Sequence, residues 1–89
     1  MILQIHKFNH DTETQIAKVI EEAGEVLQSY LDNESVDRQL SECLDTIQCT
    51  VNLMYMIADN EQVRQAVDTH FDKMIARGYE IRHLAKVKI

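Results

Sequence analysis

Proline is absent from all 89 residues, and glycine occurs only at Gly24 and Gly78. Proline interrupts helices and glycine weakens them, so a chain with almost neither can run in long helices and has little material for irregular loops. The apolar residues repeat accordingly. From Thr12 to Leu31 they fall at Ile16, Val19, Ile20, Ala23, Val26, Leu27, Tyr30 and Leu31, the spacing of one helical face. Thr12 with Gln15 three residues later reads as a capping box. The segment DNES, residues 32–35, breaks the pattern, and Ser35 is the expected N-cap of a second helix.

The second helix is expected over Val36–Ala58. One stripe carries Val36, Leu40, Cys43, Leu44, Ile47, Val51 and Met54, and a second carries Cys49, Leu53 and Met56. A helix apolar on two sides is packed on two sides. Three helices in one chain do not easily supply that, so the pattern points to self-association. Asp59 or Asn60 caps a third helix, with Val63, Ala66, Val67, Phe71, Met74 and Ile75 facing inward and Gly78 closing it as the residue after the cap. Beyond Gly78, Tyr79, Ile81, His83, Ala85, Val87 and Ile89 alternate with Glu80, Arg82, Leu84, Lys86 and Lys88, which fits either a short strand or a fourth helix. The first eight residues are equally open. The expectation is one all-α domain spanning residues 1–89. It is a bundle of three main helices completed by homo-oligomerisation, because so short a chain buries only about 60–65% of its unfolded surface.

Charge narrows the partners. The net charge is −6, and residues 1–45 carry ten Asp/Glu against three Lys/Arg, whereas residues 46–89 carry five against six. An acidic half without a basic aromatic stripe does not suit a nucleic-acid polymer. No apolar run approaches a membrane span. Cys43 and Cys49, six apart on one helix, diverge by about 240° and about 9 Å along the axis, too far to bridge. Free thiols suit a reducing compartment. Met1–Phe8 is too short for a secretory leader, with Lys7 after the apolar residues, so a soluble, cytoplasmic protein is expected.

Chemistry is offered by acidic pairs. Glu22 with Glu25 and Glu42 with Asp45 each place two carboxylates on one helix face, with Cβ atoms about 5–6 Å apart. Two such helices side by side would converge four carboxylates on a hard cation such as magnesium, with positions left open for phosphate oxygens. Spacing alone does not make a site: with 15 acids in 89 residues such pairs arise by chance, and Glu34 with Asp37 forms a third. Solvated surface is the competing reading. Position adds weight, since Glu22 lies about 40° from Val26 on the helical wheel. Glu42 and Asp45 share the stripe of Cys49 and Met56.

KVIEEAGE (residues 18–25) followed by ECLD (residues 42–45), with 16 residues between the motifs, resembles the Glu-x-x-Glu…Glu-x-x-Asp signature of the MazG-like, all-α nucleoside triphosphate pyrophosphohydrolases. Lys18, Gln15 and Gly24 fit the same pattern. The resemblance covers residues 15–58 well and residues 70–79 loosely. It implies a helical homodimer or homotetramer that cleaves a nucleoside triphosphate, canonical or not, between the α and β phosphates. The products would be a monophosphate and pyrophosphate, with Mg2+, or Mn2+ in its place, as cofactor. It implies Glu22, Glu25, Glu42 and Asp45 as metal ligands and catalytic residues, with one of the glutamates helping to deprotonate the attacking water. A related activity, phosphoribosyl-ATP pyrophosphohydrolysis, shares a double glutamate and a Glu-x-x-Asp, but its usual flanking residues are absent from CLDTIQ.

Cations complete the picture. Lys18 lies one turn before Glu22 and is either its salt-bridge partner or a phosphate contact. Lys73 and Arg77 lie one turn apart in HFDKMIARGY (residues 70–79), which resembles the family's closing basic segment, although His70 stands where members often have asparagine. Substrate contact by Lys18, Lys73 and Arg77 is the expectation the resemblance adds. A solvated basic face is the alternative. His6, His10, His70 and His83 show no zinc spacing with the cysteines, and no glycine-rich phosphate loop is present. A non-catalytic helical module that self-associates is the competing class of function.

Overall fold

The computed structural model describes residues 1–88. Three helices follow one another: α1 (Thr12–Leu31), α2 (Val36–Ile57) and α3 (Asn60–Ala76). The fold is all-helical, with no strand among the described residues.

The caps decide the boundaries. α1 is capped by Asp11, whose carboxylate accepts from Thr14 N at 2.8 Å. The capping box expected at Thr12 and Gln15 does not form, because Gln15 points into the protein. α2 starts at Ser35, whose hydroxyl accepts from Arg38 N. α3 has a full capping box in which Asp59 accepts from Gln62 N and the Gln62 side chain accepts from Asp59 N. Gly78 follows its end at φ 74°, the left-handed conformation that favours glycine. Asn33, at φ 53°, makes the equivalent turn after α1.

α1 and α2 form an antiparallel hairpin, since Gln15 reaches Cys49 while Glu22, further along α1, meets Glu42, further back on α2. α3 makes slight contact with α2 and none with α1. The N-terminal segment is strapped to α2, where Gln48 Nε2 donates to Gln4 O and His6 N donates to Asn52 Oδ1. It also meets the other end of the chain through a parallel bridge between Ile2 and Lys88. That single bridge is all that forms where residues 79–89 were expected to make a strand or a helix; Ile89 lies outside the described residues. One bridge cannot hold a ten-residue segment extended as a strand.

The contact faces are rotated from the sequence expectation: Val19, Val26, Val51 and Met54 of the expected stripes are covered, but other members are not. α1 turns Gln15, Val19, Glu22, Val26 and Ser29 toward α2, and α2 answers with Gln39, Glu42, Thr46, Cys49 and Leu53. The polar members are satisfied locally: Ser29 Oγ donates to Val26 O and Thr46 Oγ1 to Glu42 O. Cys49, Leu53 and Met56, expected to meet another copy, are half-buried within the chain. Ile16, Ile20 and Leu27, with Leu40, Leu44 and Ile47, expected to face inward, are exposed. On α3 only Val63 is fully buried, while Val67, Phe71 and Ile75 stand in solvent. Periodicity finds an apolar face but not the neighbour that covers it. Here the hairpin closed on the polar-rich seam. The Cα radius of gyration, 14.8 Å, exceeds the roughly 12 Å of a compact domain of this length, which reflects that opening.

Candidate metal centre

The seam brings the two acidic motifs together. Glu22 from α1 and Glu42 and Asp45 from α2 each offer a carboxylate oxygen within 4.8 Å of the others. Their helical positions cause this: Glu22 and Glu42 lie on the facing stripes, and Asp45, three residues after Glu42, sits at the edge of its stripe. Glu25 is exposed and stands outside the trio. It remains beside Glu42, placed to accept a hydrogen bond from that carboxyl when protonated.

Glu42 is the centre of the group. Its side chain is 6% exposed, and the Arg38 guanidinium meets its Oε1 at 3.0 Å. Burial pushes its carboxyl above the ordinary range; Arg38 opposes this, and Glu25 and Asp45 add to it. Two oxygens, Glu42 Oε2 and Glu22 Oε2, are buried without any hydrogen-bond partner. Buried carboxylate oxygens are costly when unpaired, and carboxylates held this close repel one another. A hard dication answers both problems. Ligand oxygens on magnesium lie about 2.9–4.2 Å apart, given bonds of about 2.1 Å and octahedral angles. Three carboxylate oxygens within 4.8 Å of one another are of a type and spacing compatible with such a cation.

The cations divide. Lys18 forms no ion pair with Glu22 among the described residues; it stands near the Cys49 thiol. That thiol is pushed up first by burial and next by the Glu22 charge, with Lys18 opposing, so Cys49 is held as the neutral thiol. Both cysteines are free. Lys73 and Arg77 are exposed on α3, which does not touch α1, and neither is brought into an ion pair with the acidic trio. Sequence reasoning missed Arg38, which bridges Glu34 and Glu42. Its signal was present, because it lies four residues from each of them on the same helix face. It also missed the clamp above the trio, where Gln15, fully buried, donates to Cys49 O at 3.0 Å and pairs with His10 Nε2 at 2.7 Å.

A concavity of about 570 Å3 lies elsewhere, among Ile5, Tyr55, Val63, Arg64, Val67 and Val87. It shares no residue with the carboxylate trio, which lies in the α1–α2 seam. Comparison with protein-family models, with curated proteins and with solved structures gave no match. Among the described residues no helix is long and apolar enough to cross a membrane.

Proposed function

We propose that this chain is a magnesium-dependent pyrophosphohydrolase of nucleoside triphosphates, of the MazG-like kind, releasing a monophosphate and pyrophosphate. One observation carries the reading: the two sequence motifs, 16 residues apart in the chain, meet in a trio of carboxylates with two buried, unpartnered oxygens. A chance pair of acidic motifs on solvated helix faces has no reason to meet there.

Glu22, Glu42 and Asp45 would hold the cation. When bound, magnesium supplies charge neutralisation of the phosphate oxygens and acidifies water. Glu25, beside Glu42 but outside the trio, is free to take a proton from the attacking water. Arg38 holds Glu42 in place with an exposed guanidinium, and Lys18 stands near Cys49 on the same seam. These two cations are the candidates to offset the charge that develops on a leaving pyrophosphate. Lys73 and Arg77 have no such support within one chain.

The test is pyrophosphate release from mixed nucleoside triphosphates with magnesium. Wild type is expected to turn over, with manganese substituting. Glu42→Ala with Asp45→Ala is expected to lose roughly a hundredfold or more of the rate while the circular dichroism stays helical. Absence of turnover together with absence of any magnesium-dependent thermal stabilisation would return the trio to a structural role, held by Arg38 alone.

A further inference from the structure

On α3, Asn60, Val63, Arg64, Val67 and Asp68 recur at the three- and four-residue spacing of a single helix face. That face lines the cavity of about 570 Å3, which is bordered elsewhere by Ile5 of the N-terminal segment, Tyr55 near the end of α2 and Val87 of the C-terminal segment. The gap has a cause in the sequence. Arg64 and Asp68 occupy positions of this face where apolar side chains would let α3 settle on its neighbours, and α3 makes only slight contact with α2. Val63 is the one residue of α3 that is fully buried.

The charges around the cavity are unequal. Arg64 is engaged by Glu61, one turn back on the helix. Asp68 lies four residues beyond Arg64, yet it makes no ion pair or hydrogen bond among the described residues. Two carboxylates against one guanidinium leave the lining with an excess negative charge. Ile5, Val63, Val67 and Val87 supply apolar walls, and Tyr55 adds an aromatic ring.

We infer that this cavity binds a small organic cation, with an apolar body against the valines and a single ammonium paired with Asp68. The volume falls within the roughly 300–1,000 Å3 of small-molecule sites, which combine apolar walls with a few charged groups. Charge complementarity selects the ligand. An ammonium gives Asp68 a charge-assisted partner as the cavity loses water. An anion would be repelled by Asp68 and would find Arg64 already engaged, while a neutral body would leave the carboxylate facing it unpaired. The face of an aromatic ring favours a cation for the same electrostatic reason. An occupant would also give α3 the packing against α2 and the N-terminal segment that the chain supplies sparsely.

This site is independent of the hydrolase reading. Tyr55 lies ten residues beyond Asp45, about 15 Å along α2, and binding is measured in EDTA without nucleotide. The probes are tryptamine, tryptophol and indole-3-acetate, which share an indole body and end in an ammonium, a hydroxyl and a carboxylate. The full chain is titrated with each by calorimetry, and methyl NMR shifts locate the contact. Tryptamine is expected to bind at about 0.1 mM and to shift the methyls of Val63, Val67 and Val87. At ten times Kd it should raise the melting temperature by roughly 6–11 °C. Tryptophol should bind at least tenfold more weakly, and the acid not detectably. Asp68 is exposed, so Asp68→Asn should keep the fold and lose the preference for the amine, and Asp68→Lys should favour the acid. Four results would each overturn the inference: no tryptamine binding at about 1 mM, an alcohol as tight as the amine, shifts centred on the acidic trio instead of the valines, or an unchanged preference in Asp68→Lys.

Discussion

Gln15 offers the sharpest test of how the site is held. Among the described residues it is the one large side chain with no exposed surface, and its amide makes two bonds: Nε2 to Cys49 O at 3.0 Å and Oε1 to His10 Nε2 at 2.7 Å. Gln15→Ala removes both. Each is worth about 1 kcal/mol net, and the truncation leaves a space costing a further 1–2 kcal/mol or so, giving a total loss of about 3–4 kcal/mol. A chain of 89 residues has roughly 4–13 kcal/mol in all. The melting temperature should therefore fall by roughly 10–30 °C in a thermal melt followed at the helix band. Gln15→Met, which keeps the volume but not the bonds, should recover part of the loss. The clamp lies two turns before Glu22 on the same face, so the upward shift on adding magnesium should shrink as well. A Gln15→Ala melt within about 3 °C of wild type would show that the amide does not tie α1 to α2.

Three further outcomes follow from the same contacts. Arg38→Ala takes the counter-charge from buried Glu42, so the melting temperature in EDTA should drop while the rise on adding magnesium grows; equal shifts in both conditions would contradict the assigned role. Because burial raises the Glu42 carboxyl, the folded state keeps this proton at pH values where the unfolded chain has lost it. Metal-free stability should thus decline as pH climbs from about 4.3 through the raised value, while the magnesium increment emerges over the same interval. Comparing wild type with Glu42→Gln isolates that slope from other carboxylates, and an identical pH dependence in the two proteins would contradict it. Asp59→Ala removes the acceptor of the α3 capping box and should cost about 1 kcal/mol without altering magnesium binding, as read by denaturant melts with and without the ion.

Helix existence and limits were legible because they are set locally. Ser35, Asp59 and Gly78 act on the backbone within one turn, and the structure places them where local chemistry requires. The acidic pairs were legible for a similar reason, since a spacing of three fixes a shared face in any helix. Residues 79–88 carry a period of two without a neighbouring strand to use it, so alternation there produced only the bridge at Lys88. Glu25 and Glu42 look alike in sequence, yet one is exposed and the other is buried against Arg38. That difference depends on a few tens of degrees of rotation about each helix.

The amino-acid order by itself determined three helices, the caps of α2 and α3 and two carboxylate pairs, because each follows from contacts within a few residues. Only the tertiary structure decided which sides of α1 and α2 meet. Both helices have an apolar stripe and a polar-rich stripe, and the pairing of Gln15 with Cys49 and His10 closes the polar-rich one inside. That choice gathers Glu22, Glu42 and Asp45 on one side and leaves Ile20, Leu27, Leu40 and Leu44 uncovered on the other. Burial depends on what lies across the gap, and a linear pattern does not encode its partner.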